Sequence, residues 1–420
     1  MRRILIVTIL IVIAGTAVWY FGFRPKTNPD GSATTSGFKS FFPLGGAGGN
    51  NNTDGQISDT TPVDTGEPTN PPSSLFKQLS VSPISGYSTF ALTKTITIPP
   101  ATPKEKPTTQ TITDYFVRYV ARQNGFVYEI KNDESPLQIS NTFVPAVYEA
   151  YFADNNNTAI LRFLRDDART IGTYTVPIPP ENPDGTRTQN SGIFLPDGIT
   201  SFAVSPDSKE VARLTQEQTL GVITTESTAE KNTKELLRTP LKELLISWPQ
   251  TSTLFVQTKA AGIVPGFLYK VDRTERRLRR VVGDVAGLTA SVSPSGVFVF
   301  YSESTKDGFT AKILNTKTGI TKNTGLSILP EKCVWLKNED LVCAGNSAVE
   351  SGTYPDVWYA GLVSFSDQLF HIYTSVNTFD VINKGDERGF DMVNLQTDED
   401  RNLLFFVDKK TGLLWQFSLL

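Results

Sequence analysis

The stretch Ser201-Phe202-Ala203-Val204-Ser205-Pro206-Asp207-Ser208-Lys209-Glu210-Val211-Ala212-Arg213-Leu214 reads as strand, tight turn, strand. Apolar residues flank a Ser-Pro-Asp-Ser centre, and proline there presets the φ that a tight turn needs. The pattern returns as Ala290-Ser291-Val292-Ser293-Pro294-Ser295-Gly296-Val297-Phe298-Val299-Phe300-Tyr301. Pro206 and Pro294 are 88 residues apart. Between them lies Ile246-Ser247-Trp248-Pro249 followed by Thr253-Leu254-Phe255-Val256, so the three prolines are spaced by 43 and 45.

Working outward at that period finds four more units. Cys333-Val334-Trp335 and Leu341-Val342-Cys343 flank Lys337. Tyr148 to Phe152 and Thr158 to Phe163 flank Asp154, and Met392 to Leu395 and Leu403 to Val407 flank Asp398 to Asp400. The first unit is stretched, with Tyr87 to Leu92 pairing Tyr115 to Ala121 across a Pro- and Thr-rich insert. Most units continue with a third strand, such as Gly125 to Ile130 or Gly266 to Val271. A more polar fourth often follows, such as Leu137 to Ser140 or Arg277 to Val282. Four strands at a period of about 40–50 residues mark a propeller blade, which cannot bury both faces alone. The expectation is an all-β, seven-bladed β-propeller over 73–420, with six or eight as the neighbouring counts. A sandwich would leave the regular spacing unexplained.

The two ends of this region fit ring closure. The last unit shows three strands and ends in Gly412-Leu413-Leu414-Trp415-Gln416-Phe417-Ser418-Leu419, while Leu75 to Val81 is a spare strand before the first. Adding that strand to the last blade removes an exposed edge.

The Ser-Pro-Asp-Ser and Ser-Pro-Ser-Gly turns between apolar strands resemble the propeller repeat of the TolB family. Similar repeats occur in propellers of prolyl-oligopeptidase-type peptidases. Those carry an additional hydrolase domain with a Gly-x-Ser-x-Gly elbow, and no such elbow follows the last unit of this sequence. The resemblance therefore implies a propeller that binds other envelope proteins, and not a peptidase.

Ahead of the repeats, Arg2 and Arg3 precede an uncharged apolar run from Ile4 to Phe23, ending in Trp19-Tyr20-Phe21. Twenty such residues span roughly 30 Å as a helix, the thickness of a bilayer core, and aromatic rings favour its interface. Residues 1–23 are expected to form a single transmembrane anchor. The rival reading is a signal peptide cleaved near Gly15-Thr16-Ala17, but the run stays apolar to Phe23. Arg24 and Lys26 weaken the charge bias, so orientation rests on the short N-terminal tail. A cell-membrane protein with its bulk on the extracytoplasmic side follows. Residues 24–72, rich in Gly, Asn, Thr and Pro, read as a disordered linker.

Composition narrows the chemistry. The 420 residues hold 40 basic and 43 acidic side chains, one histidine and two cysteines. Near-neutral charge leaves no footprint for nucleic acid. One imidazole and two thiols exclude multi-histidine metal sites, zinc ribbons and iron–sulfur clusters. No cofactor is expected.

Candidate residues are few. A three-residue loop at Lys337 to Glu339 sets Cys333 opposite Cys343 across one hairpin, close enough for a disulfide, against two buried thiols as the alternative. Arg273, Arg276, Arg277, Arg279 and Arg280 form the sharpest charge cluster, diluted by Asp272 and Glu275. It reads as a solvated edge or as a patch for an anionic partner. His371 lies in Gln368 to Tyr373, an outer-strand pattern, and reads as a surface residue. Asp398-Glu399-Asp400 lacks calcium-loop spacing and reads as a polar turn. Asn156-Asn157-Thr158 matches a glycosylation acceptor. Inserts near 96–113, 178–198 and 345–356 break the period, and inserted loops on a rigid scaffold are where binding resides.

Two function classes follow. One is a membrane-tethered scaffold, held by residues 4–23, that binds another envelope protein or a surface polymer. The other is an enzyme working in the central channel, for which Glu149, Asp391 and Tyr148 lie near innermost strands. The absence of catalytic motifs favours the scaffold.

Overall fold

Each repeat turn is fixed by its own side chains. Ser205 Oγ donates to Asp207 Oδ1 at 2.6 Å and accepts from the Glu210 N–H at 2.9 Å. Ser293 Oγ repeats the second bond with the Phe298 N–H at 3.1 Å. Ser208 and Gly296 supply the left-handed residue, at φ 58° and 72°. These locks set the register that the strands then follow.

The structure, a computed structural model, describes residues 75–98, 108–182, 186–188, 191–228, 230, 232–346 and 349–419. The anchor (1–23) and linker (24–72) lie outside the described residues. Among the described residues no helix is long and apolar enough to cross a membrane.

The described strands form seven four-stranded antiparallel sheets, each built from consecutive strands except the last. Their innermost strands are Ile84–Ile98, Val147–Ala153, Ile199–Val204, Leu244–Gln250, Ala290–Val292, Cys333–Trp335 and Met392–Asp398, defining blades 1 to 7. Blade 7 takes Phe76–Gln78 as its outer strand, pairing Phe76 with Phe417 and Gln78 with Trp415. This is the expected closure, though the strand is three residues long; beyond it the Leu79 and Ser80 N–H groups donate to Leu414 O and Ser80 Oγ accepts from the Leu414 N–H.

Packing shows the ring directly. Seven apolar clusters each bridge two neighbouring blades, in the order 1–2, 2–3, 3–4, 4–5, 5–6, 6–7 and 7–1. The second strand of a blade serves both neighbours. In blade 6, Leu341 and Cys343 face blade 5, while Val342 and Ala344 face blade 7. In blade 7, Leu404 and Phe406 face blade 6, while Phe405 and Val407 face blade 1. Burial on both faces explains why these strands read as unbroken apolar runs. Close approach at the centre imposes glycine once: a Cβ on Gly86 would lie 2.1 Å from Ala150 O of blade 2.

Three expectations need correction. His371 is not on an outer strand: Gln368–Tyr373 is the third strand of blade 6, with His371 between Val342 and Asp380, because Thr378–Asn383 takes the edge. The first insert is not a loose loop throughout, since the Ile84–Ile98 and Thr108–Ala121 strands stay in register to Ile98↔Thr108. Part of the second insert, Ile193–Phe194, serves as blade 2's outer strand.

Cys333 pairs with Cys343 in the ladder and the two are joined by a disulfide, as the hairpin register predicts. Cys343 is fully buried against blade 5. Cys333→Ala is expected to cost about 2–3 kcal/mol, the loop-closure value for a short crosslink, measured by chemical unfolding. Non-reducing peptide mapping should find the two peptides linked. Free alkylation of both thiols in unreduced native protein would contradict the pairing.

Candidate functional site

The antiparallel order gives the ring two unlike rims. Turns between first and second strands, and between third and fourth, lie on one side, here the hairpin rim. Chain crossings between blades, and second-to-third turns, lie on the other, the crossover rim.

The hairpin rim carries a projecting arm. The ladder between the first two strands of blade 1 continues for seven pairs, Leu92↔Asp114 to Ile98↔Thr108, beyond Phe116, where pairing to the third strand ends. That is an arm of roughly 20 Å at about 3.3 Å per residue. One face carries the pairs Thr93–Thr113, Thr95–Thr111 and Thr97–Thr109; the other carries Leu92, Ile96, Ile98 and Ile112. Lys94 and Asp114 form an ion pair at 3.0 Å near the root. Leu92 to Ile98 are all exposed.

The second insert stands on the same rim and is pinned to blade 1. Arg187 donates to Glu129 at 2.8 Å and to Pro179 O at 2.8 Å, while Arg118 donates to the other Glu129 oxygen at 2.7 Å. Inter-blade clefts open along this rim. One between blades 2 and 3 is edged by Gly192 and Ile193 of the insert. A second lies between blades 4 and 5, and a third is edged by Asp398, Glu399 and Asp400 beside blade 1.

The third insert covers part of the crossover rim. It carries the helix Asp356–Tyr359 and packs Tyr354, Trp358 and Phe365 on Phe309, Leu329 and Val393. It reaches blade 4, where the Gly262 N–H donates to Asp356 Oδ2 at 3.0 Å, and blade 7, where Lys409 Nζ donates to Trp358 O at 2.6 Å. A Cβ on Gly287, at φ 66°, would sit 2.6 Å from Tyr354 O.

Beneath this cap is a buried ionic cluster. Lys332 Nζ contacts Asp391 Oδ1 at 2.6 Å, Asp367 Oδ2 at 2.8 Å and Met392 O at 2.9 Å, with all three side chains inaccessible. Asp391 also accepts from Trp358 Nε1 at 3.0 Å, Ser364 Oγ at 3.0 Å and the Phe365 N–H at 3.1 Å. Burial pushes Asp367 up to about 6 against the pull of Lys332. Burial also acts on Asp391, but Lys332 and the Phe365 and Trp358 donors outweigh it and hold that carboxyl below its ordinary value. One cation between two acids explains why they diverge.

The proposed channel residues do not converge. Tyr148 and Glu149 lie on the innermost strand of blade 2, and Asp391 is in the capped cluster. Glu149 is bound by Arg162 Nη1 at 2.5 Å and by Tyr151 Oη at 2.5 Å. Arg162 also reaches Ile199 O and lies 5.5 Å from the Tyr148 ring centroid. His371 Nε2 is 3.6 Å from Asp340 Oδ2 and makes no hydrogen bond.

The arginine run divides. Arg273 forms a bidentate pair with Glu210 and stacks over Trp248. Arg277 and Arg279 each lie 2.5 Å from Glu275, and their hydrogen bonds hold that carboxyl down at about 2. Arg276 sits in the turn at φ 53°, and Arg280 lines the cleft between blades 4 and 5. The Asp398-Glu399-Asp400 turn pairs with Arg401 and Lys337. Asn156 is the last of three left-handed residues in the first hairpin of blade 2, after Asp154 and Asn155, at φ 68°. Among the described residues no group of three His, Cys, Asp or Glu side chains is placed to hold a metal.

Sequence reasoning missed Lys332, Asp367, Arg162 and the Arg118–Glu129–Arg187 chain. For the arginines the signal is a lone charge in an apolar run, as in Phe116-Val117-Arg118-Tyr119-Val120 and Ile160-Leu161-Arg162-Phe163-Leu164. Which charges meet depends on strands far apart in sequence.

No protein-family model and no curated protein matches the chain. Solved structures do. TolB from Acinetobacter baumannii aligns at 10% identity over 70% of this chain and 60% of its own, with a TM-score of 0.39. An oligogalacturonate lyase in complex with manganese aligns at 10% identity over 73% of this chain and 86% of its own, TM-score 0.48. The β-propeller domain of the Trilobed protease from Pyrococcus furiosus, described as having an open velcro topology, aligns at 12% identity over 62% and 78%, TM-score 0.40. The resemblance to TolB-like propellers holds at the level of the fold, which binding proteins and enzymes share.

Proposed function

We propose that the chain is a membrane-tethered extracytoplasmic propeller that binds another envelope protein or a surface polymer through its hairpin rim. The observation that carries this is the blade 1 arm. A ribbon of two strands is marginal on its own, and this one buries no core beyond its root. Both of its edges are open, and open edges recruit further strands. The second insert and the clefts share its rim. Against the channel-enzyme alternative stands the state of Glu149, whose carboxylate is already engaged by Arg162 and Tyr151.

Replacing residues 93–113 by a two-residue Asn-Gly turn tests this. The melting temperature should move by no more than about 2 °C, since the arm contributes little burial. Partners captured by crosslinking in whole cells should be lost. Capture at the original level with the arm removed would sink the reading.

A further inference from the structure

Lys332 is the one buried lysine among the described residues. Its Nζ touches Asp391 Oδ1 at 2.6 Å, Asp367 Oδ2 at 2.8 Å and Met392 O at 2.9 Å, and none of the three charged side chains is accessible. The Trp358 and Phe365 rings wall the nitrogen in, with centroids at 5.4 and 5.3 Å. One cation and two acids in a dry apolar wall form a cluster that is costly to keep ionised. Joining the amine to one acid as an amide removes a cation and an anion together. The buried Arg118–Glu129–Arg187 chain offers no counterpart, since a guanidinium stays protonated and is no nucleophile.

The two acids are held in different ways. Asp391 Oδ2 accepts from Trp358 Nε1 at 3.0 Å, Ser364 Oγ at 3.0 Å and the Phe365 N–H at 3.1 Å. Three fixed donors on that oxygen, with Lys332 on the other, polarise the carboxyl and meet the charge that would develop there if Cγ were attacked. Asp367 Oδ2 accepts from the Met392 N–H at 2.6 Å, while Asp367 Oδ1 is buried with no hydrogen-bond partner among the described residues. Burial raises Asp367 to about 6, a value that suits a group taking up and releasing protons. At Asp391 burial favours the neutral acid and Lys332 opposes it, an opposition that ends once Lys332 gives up a proton.

We infer that Lys332 and Asp391 condense to an intramolecular amide, with Asp367 carrying the protons. Asp367 takes one proton from the ammonium group, and the neutral Nζ attacks Asp391 Cγ. The Cγ–Nζ bond forms as charge builds on Oδ2. Asp367 hands its proton to Oδ1, takes a second from the bonded nitrogen and passes that on as well. The Cγ–Oδ1 bond breaks and Oδ1 leaves as water. Two of the three ammonium protons depart in that water, the third stays on the amide nitrogen, and Asp367 ends with the charge it began with. No oxidant or other reactant is consumed. The three groups are positioned by the fold, which makes the step unimolecular, and the exclusion of water protects the amide from hydrolysis. Lys332 directly precedes the innermost strand of blade 6 and Asp391 that of blade 7, so the bond ties two blades together beneath the cap across 59 residues of chain.

Mass spectrometry of the full-length chain, folded, then denatured, reduced and digested with trypsin, tests the inference. An acylated Lys332 is no longer a cleavage site. The parent should therefore yield one branched peptide joining residues 323–337 to residues 389–401, lighter than the two together by one water. Fragmentation should place the branch at Lys332 and Asp391. Asp367→Asn keeps the shape of the side chain but cannot take up the proton. It should lower the linked fraction about tenfold or more, read only in protein that elutes with the parent and retains the Cys333–Cys343 disulfide. Asp391→Ala should abolish the link and restore cleavage after Lys332. Complete cleavage after Lys332 in the parent, with no branched peptide, would overturn the inference whatever the variants do. An undiminished link in folded Asp367→Asn would overturn the part given to Asp367.

Discussion

Deleting residues 75–81 should open the ring and lower the melting temperature by about 10 °C or more. Phe76 is buried among Phe390, Phe406 and Phe417, with centroid distances of 5.1, 6.1 and 4.7 Å. Leu79 belongs to the cluster joining blades 7 and 1, and Ser80 Oγ accepts the Leu414 N–H at 2.9 Å. Truncating one such phenylalanine costs about 3–5 kcal/mol, and at about 2.1 cal/mol/K of unfolding entropy per residue a kcal/mol moves the midpoint of a domain this size by about 1–2 °C, so Phe76 alone accounts for about half of the shift and Leu79 and the lost pairing for the rest. The deletion also exposes the edge of the strand Leu414–Ser418, so aggregation on heating should increase. Phe76→Ala, which keeps the backbone pairing, should show roughly half the effect. An unchanged midpoint for the deletion would mean the ring is closed some other way.

Lys332→Met should be the most damaging single substitution. Methionine fills a similar volume but leaves Asp367 and Asp391 buried without their cation, and breaking a buried pair costs about 3–5 kcal/mol. The loss should depend on pH in a defined direction. Without Lys332 burial acts on Asp367 unopposed by its cation, so its folded pKa lies further above the unfolded value near 4. Such groups stabilise the fold at low pH and lose that contribution as pH rises. The variant should therefore unfold most easily above pH 7 and recover as pH falls toward 5. In the parent protein Asp367, raised by burial to about 6, gives the same sign more weakly, over roughly pH 4 to 6. Urea unfolding at several pH values reads both effects. A loss below about 1 kcal/mol at every pH would show that the cluster does not hold the cap.

The repeat was legible because its information is local. The Ser-Pro turns, the unbroken apolar second strands and the 43 and 45 spacings each depend on residues close in sequence. The Cys333–Cys343 register could be counted for the same reason. The arm was half legible: its Thr and Pro content suggested a loop, but Thr and Ile alternate from Thr95 to Ile98, which is strand patterning. The capped cluster was not legible. Lys332 and Asp391 are 59 residues apart and meet only because blade 6 lies beside blade 7. The arginine run was visible as a cluster, yet which members are neutralised depends on Glu210, 63 residues from Arg273.

The binding face can be tested by its position on the ring. A photocrosslinking residue at Thr95, on the arm, and another at Leu362, which is 77% exposed in the insert on the crossover rim, should be compared in whole cells. The account predicts a discrete crosslinked adduct from Thr95 and none from Leu362. Adducts from Leu362 alone would contradict it and move the binding face to the opposite rim.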